Sequence, residues 1–170
     1  MPTIDLIRVF LASPGDVSDE RKAVREVFED INRTLGNDKQ VRFEVVGWDT
    51  DSIPAYGNDP QELVNKQIGA MESYDLFIGI MWNRFGGATP RAGSGTEEEF
   101  NRAVDSINKS GTPWIMCYFN QAPFTPQNAA EAEQKFKVMK FKERVQERGL
   151  TADYNGVPDL RSKLRNHVET

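Results

Sequence analysis

The run "YDLFIGIMW" constrains this chain most, because it is apolar almost without interruption from Leu76 to Trp82. A strand with one face in water alternates apolar and polar residues, whereas a nearly continuous apolar run of strand length is buried on both faces. Such a strand belongs inside a parallel sheet covered by helices on two sides. The rest of the chain supplies what that sheet needs, strand-length runs alternating with helical patterns. "DLIRVFLAS" reads as the first strand. After the turn "SPGD" comes a helix whose apolar positions Val24, Val27, Phe28, Ile31 and Leu35 keep helical spacing, and Gly36 is expected to end it. "VRFEVVGW" is the second strand, "DTDSIPAYGND" a loop and "PQELVNKQIGAM" a helix with Pro60 near its start. A helix from about Glu97 to Ser110 follows the central strand. "TPWIMCYFN" is the fourth strand, and a long helix runs from about Ala129 to Arg148. "GLTADYNGVPDLRSKLRNHV" closes the chain with a short strand or turn and a helix. The expected fold is α/β, a five-stranded, mostly parallel sheet with helices on both faces, and no composition shift divides residues 1–170 into two domains.

Composition removes several function classes. With 170 residues the chain is long enough for a real core, since a domain of roughly 150 residues buries about 70% of its unfolded surface. No apolar run is long enough for a membrane-spanning helix, and the start "MPTIDLIRVFLA" lacks the basic region and cleavage site of a signal peptide, so a cytoplasmic location is expected. Cys117 is the single cysteine, inside "WIMCYF", and reads as a small buried hydrophobe; a disulfide within the chain is excluded. His167 is the single histidine and lies near the end, so Ser-His-Asp, Cys-His and Cys/His zinc sites are hard to assemble. Chemistry, if present, falls to carboxylates. The net charge of −5 argues against nucleic acid as the main partner, and "KFKVMKFKERVQER" reads as an amphipathic helix with a solvated basic face.

Open parallel sheets bind ligands beyond the carboxyl ends of their strands. Here those ends carry "SPGDVSDE", "WDTDSIPAYGN", "MWNRFGGATPRAGSGTEEE" and "FNQAPF", where polar and glycine-rich residues gather. The opposite connections, "LGNDKQ", "MESY" and "NKSGTP", look like plain turns.

Within "SGTEEEFNRAV" three consecutive glutamates precede the apolar stripe Phe100, Ala103, Val104 and Ile107. At about 100° per residue Glu98 falls nearly opposite that stripe and is expected to face water, while Glu97 and Glu99 flank it on two sides. "TEEE" from Thr96 to Glu99 also fits a capping box. Position alone leaves cap and chemical group both open. Ser13 and Gly15 lie in the first strand-to-helix turn, where backbone N–H groups favour an anion, although Asp16 and Asp19, read mainly as helix caps, oppose a bare phosphate. Trp82, Arg84 and Phe85 follow the central strand; they could stack on a base and pair with a phosphate, or cover the sheet edge beside a solvated Arg. Trp48 and Asp49 end the second strand and could line the same cleft.

Taken together, "VFLASPGDVSDER", "YDLFIGIMWNRFG" and "SGTEEEFNRAV" resemble a bacterial branch of the Toll/interleukin-1 receptor (TIR) domain family, from about Leu6 to Phe119 and more weakly beyond. The resemblance implies a flavodoxin-like, TIR-like three-layer fold. It also implies a signalling or defence effector, in bacteria an antiphage one, that hydrolyses NAD at the nicotinamide N-glycosidic bond when assembled. The catalytic residue would be the glutamate early in the helix after the central strand, ahead of an apolar residue, and Glu99 before Phe100 is the matching pair. "GTEEE" is likewise similar to the Gly-Thr-x-x-Glu pattern of nucleoside deoxyribosyltransferases, which again places the glutamate at Glu99. NAD would be the substrate, with no cofactor and no metal; TIR–TIR self-association and a fused or partner sensor domain would be the partners, with no membrane. The chain departs from the usual pattern in lacking a Trp-Cys pair before the helix and in a longer, glycine-rich loop. Many TIR domains only self-associate, so a non-catalytic interaction module is the alternative, and a chain ending in "RNHVET" could be the N-terminal part of something larger. A receiver-like phosphoacceptor fits less well, because the first strand ends in "ASPGD" without an acidic pair.

Overall fold

The computed structural model describes residues 3–47, 70–86, 91–149 and 151–169. The chain forms β1 (Asp5–Ala12), α1 (Ser18–Ile31), β2 (Val41–Val46), β3 (Leu76–Met81), α2 (Gly95–Ser110), β4 (Trp114–Asn120), α3 (Ala129–Gln146), β5 (Ala152–Tyr154) and α4 (Gly156–Glu169), with a 3-10 turn at Met71–Ser73 before β3. The loop and helix expected between the second strand and Ala70, with Trp48 and Asp49, lie outside the described residues.

The five strands make one sheet in the order β2-β1-β3-β4-β5, and every neighbouring pair is parallel. β3 is central and sealed on both faces, as its apolar run requires. Phe77 and Met81 pack with Phe10, Ala12 and Phe119 under Phe100 of α2 and Phe141 of α3. Ile78 and Ile80 pack with Val9, Leu11 and Tyr118 over α1 and α4, meeting Val24, Phe28, Leu160 and Leu164. Strand periodicity of two thus divides one run between two cores. α1 and α4 are further tied by Arg161 to Glu26 at 2.6 Å and by Arg165 to Asp30.

Two expectations are corrected. Gly36 does not end the first helix: the chain continues through a π-helical segment, Asn32–Gly36, and a helical turn, Asn37–Lys39, and reverses at Gln40 in the left-handed region at φ 57°. Gly36 itself is helical, and its lack of a side chain serves a close approach, because a Cβ there would sit 2.6 Å from the carbonyl oxygen of Val41. α3 is also less amphipathic than its basic run implies. Phe136 and Met139 are exposed among the lysines, while only Val138, Phe141 and Val145 are buried.

Candidate functional site

α2 opens with a capping box two residues earlier than "TEEE" suggests, a variant in which the glutamate receives the N–H of Gly93 rather than of the N-cap. Ser94 is the N-cap and its Oγ accepts the backbone N–H of Glu97 at 3.1 Å, while Glu97 Oε1 accepts the N–H of Gly93 at 2.7 Å. The helix therefore begins at Gly95 and Glu97 is its capping carboxylate. The other oxygen of Glu97 accepts from Arg144 Nη1 of α3 at 2.8 Å, and Arg144 also bonds the Asn101 side chain. Glu97, Asn101 and Phe100 thus mark the flank of α2 that faces α3.

Glu98 does not face water. It is 3% exposed and accepts from Arg91 Nε at 2.8 Å. The helical wheel misplaced it because the segment before α2 folds back over that side and brings Arg91 with it. Glu99 is 2% exposed and its Oε2 is shut off from solvent. It lies about 160° around the helix from Glu97, so it stands on the flank away from α3, at the carboxyl rim of the sheet.

The two loops at the reversal of strand order, after β1 and after β3, are bound to each other. Asp16 Oδ2 accepts the backbone N–H groups of Asn83 and Arg84, each at 3.1 Å. Asp16 was expected as a cap of α1; the N-cap there is Val17, with no side-chain cap bond, and the Asp16 carboxylate spans to the other loop instead. Asp19 stays in the first turn of α1, where the helix dipole favours a negative charge. Ser13 is buried and its Oγ accepts from Arg21 Nη1 at 3.3 Å, which also donates to the Pro14 carbonyl at 3.0 Å. Gly15 is exposed, and Arg84 Nη1 lies 3.8 Å from where a Cβ on Gly15 would be. Ser13, Gly15, Asp16, Asn83 and Arg84 therefore do come together.

Trp82 covers the sheet edge, with Nε1 donating to Ala122 O at 3.2 Å and its ring 6.1 Å from that of Phe124. Phe85 is not a surface platform for a base: it is buried and meets Phe141 edge-on at 5.8 Å. Its backbone N–H and that of Gly86 both donate to Gln134 Oε1, at 2.8 and 2.9 Å, which pins the loop to α3. Lys135 Nζ donates to Trp82 O at 2.9 Å, and burial holds its ammonium below the usual lysine range. Gln134, Lys135 and Arg144 are the residues that sequence reasoning missed. Their partners lie between 43 and 53 positions away, so no local pattern announces them. Within a few residues of Asp16, Glu20 Oε2 accepts from the Tyr154 hydroxyl at 2.7 Å. Among the described residues no group of three His, Cys, Asp or Glu could hold a metal, and no helix is long and apolar enough to cross a membrane.

An all-parallel sheet in this order, with helices on both faces and polar loops gathered at the strand-order reversal, defines a flavodoxin-like α/β domain with its candidate site at the carboxyl rim. The chain belongs to the family described as "Domain of unknown function (DUF4062)", whose model matches residues 8–169. No curated protein matches it. Among solved structures, translation elongation factor SelB from Methanococcus maripaludis is similar at 14% identity and a TM-score of 0.49, covering 99% of this chain. Homoserine dehydrogenase of S. aureus is similar at 11% identity and a TM-score of 0.37, covering 88%. The chain spans 36% and 33% of the lengths of those two proteins.

Proposed function

We propose that this domain is a TIR-like effector that hydrolyses NAD at the nicotinamide N-glycosidic bond, in the cytoplasm, and that it does so when several copies assemble. The observation that carries the reading is the position of Glu99, whose carboxylate is buried at the carboxyl rim on the flank of α2 away from α3; Glu97 lies on the flank toward α3, where it meets Arg144, and Glu98 meets Arg91. Departure of nicotinamide leaves positive charge on the ribose, in an oxocarbenium-like state. A carboxylate beside the anomeric carbon stabilises that charge electrostatically or captures it covalently, and a water-poor setting strengthens the effect. The residues present ask for no metal and no histidine. Incubating the pure domain with NAD at increasing concentration, with and without a crowding agent, and following free nicotinamide tests the reading. Release that rises steeply with protein concentration supports it, and no release under any condition of assembly sinks it.

A second reading, a non-catalytic association module, draws on the other end of the strands. Trp114 is 71% exposed there, beside a groove lined by Ile7, Phe43, Leu76, Met116 and His167. Sedimentation of the domain over a concentration series, with Trp114→Ala as comparison, tests that alternative. A wild-type mass that stays monomeric throughout, unchanged by the substitution, rejects it.

A further inference from the structure

The two loops that meet at the strand-order reversal carry two oxygen acceptors to which nothing among the described residues donates. Asp16 Oδ1 and Asn83 Oδ1 are both shut off from solvent and lack a hydrogen-bond partner. Asn83 as a whole is only 7% exposed. Buried polar atoms are nearly always paired, because an orphan loses its bonds to water and gains nothing in return. Two of them on loops already joined by Asp16 Oδ2, at the place where open parallel sheets hold ligands, share one explanation. The pair of N–H groups on Oδ2 fixes the carboxylate, so Oδ1 is held ready in one orientation.

The chemistry of the missing partner follows from the charges around it. Both atoms accept, so the partner must donate, which rules out an anion at this point. A metal ion is opposed by Lys135, near enough to Asp16 to feel its charge, and by the Arg84 guanidinium over Gly15. A neutral group with two hydroxyl donors fits both acceptors and the cations around them. A carboxylate is the group that receives ribose hydroxyls in dinucleotide sites, and here the residue whose backbone N–H binds that carboxylate carries a buried amide oxygen of its own. We infer that Asp16 and Asn83 form a diol-recognition subsite that receives the 2- and 3-hydroxyls of a ribose; the choice of ribose among diols rests on the NAD reading above.

The test is a titration of isotope-labelled full chain with D-ribose 5-phosphate, 2-deoxy-D-ribose 5-phosphate and inorganic phosphate, following the backbone amides of Asn83 and Arg84 by NMR. Ribose 5-phosphate is expected to bind at least about tenfold more tightly than the deoxy sugar, the scale of one hydrogen bond to a charged group. Asn83→Leu keeps the size and the backbone N–H, so it should melt no lower than the wild type and lose the discrimination between the two sugars. Asn83→Ala serves the same purpose if the leucine variant does not fold. Asp16→Asn should weaken ribose 5-phosphate by about tenfold. Equal shifts from all three probes would mean a phosphate site, and no shift from ribose 5-phosphate would mean that water alone fills the acceptors; either result overturns the inference, as does a folded Asn83 variant that still discriminates. No nicotinamide is measured, so a domain that binds ribose 5-phosphate but never cleaves NAD keeps this subsite and loses only the catalytic reading.

Discussion

Tyr154 of β5 donates its hydroxyl to Glu20 Oε2 of α1 across 2.7 Å, and both residues are buried. The bond joins the last strand to the first helix at the carboxyl rim. Burial pushes the Glu20 carboxyl above its usual value; the Tyr154 bond works the other way, and the neighbouring charges of Asp16 and Asp19 add to the rise. Burial first, and then the same contact, drives the Tyr154 hydroxyl upward.

A pH dependence follows from Glu20. Its folded pKa lies above the ordinary 4.5, so in the window between the two values the folded state holds more protons than the unfolded state. This contribution to stability is complete below pH 4.5 and is lost as pH rises through the folded value. Glu20→Gln keeps an acceptor for Tyr154 and has no charge to bury, so its melting temperature at pH 7 should exceed that of the wild type by a few degrees. The gap should close near pH 4. Thermal melts of the two proteins across pH 3.5–8 check this, and a gap that widens on acidification contradicts it.

Glu97 and Glu98 should matter for stability and not for chemistry. Glu97→Ala removes one half of a capping box and the partner of Arg144, at a cost of about 1–2 kcal/mol. Arg91→Ala leaves the Glu98 carboxylate buried without its nearest cation and should cost about 1 kcal/mol or more. Urea unfolding measures both. Nicotinamide release by the assembled variants should stay within about threefold of wild type, which corresponds to less than about 1 kcal/mol in barrier.

Replacing Glu99 by Gln preserves shape and removes charge. The variant should fold with nearly wild-type stability, while nicotinamide release drops by about two orders of magnitude or more, the scale of losing one preorganised electrostatic partner. Circular dichroism and single-time-point release at matched assembly separate the two effects. Full release by folded Glu99→Gln would remove Glu99 from the chemistry.

Gly36→Ala should be destabilising although the backbone there is ordinary helix. The added methyl would meet the Val41 carbonyl at 2.6 Å and the Ile31 carbonyl at 3.4 Å, both backbone atoms that cannot step aside. Overpacking of this kind costs about 1–3 kcal/mol. A denaturation midpoint equal to wild type would show that the turn into β2 can relax.

Cys117 should be inert in the native protein. Burial pushes its thiol up to about 12 and leaves almost none of it exposed. A thiol-specific reagent at pH 8 should label it only at the rate of unfolding, and rapid labelling under native conditions would show that β4 opens locally.

The sequence by itself determined the sheet. A run of strand length that is apolar at consecutive positions must be covered on both faces, and alternating helical stripes are what cover it, so the parallel five-stranded architecture follows from burial and periodicity alone. It also showed that a capped helix opens near the three glutamates, but it put the cap at Thr96 and Glu99, whereas the structure caps the helix with Ser94 and Glu97, because the chain before Thr96 turns into the helix two residues sooner. The tertiary structure decided everything that depends on partners far along the chain. Glu98 is polar and opposite the stripe, yet it is buried, because Arg91 folds over it. Asp16 has the look of a helix cap, yet its carboxylate is taken by two N–H groups 67 and 68 positions away. Gly36 has the look of a stop, yet it is a spacer against Val41. Periodicity reports which face of an element is apolar; it carries no information about which other segment arrives to meet the polar face, since that is fixed only when sheet order and loop paths bring distant residues within hydrogen-bond distance.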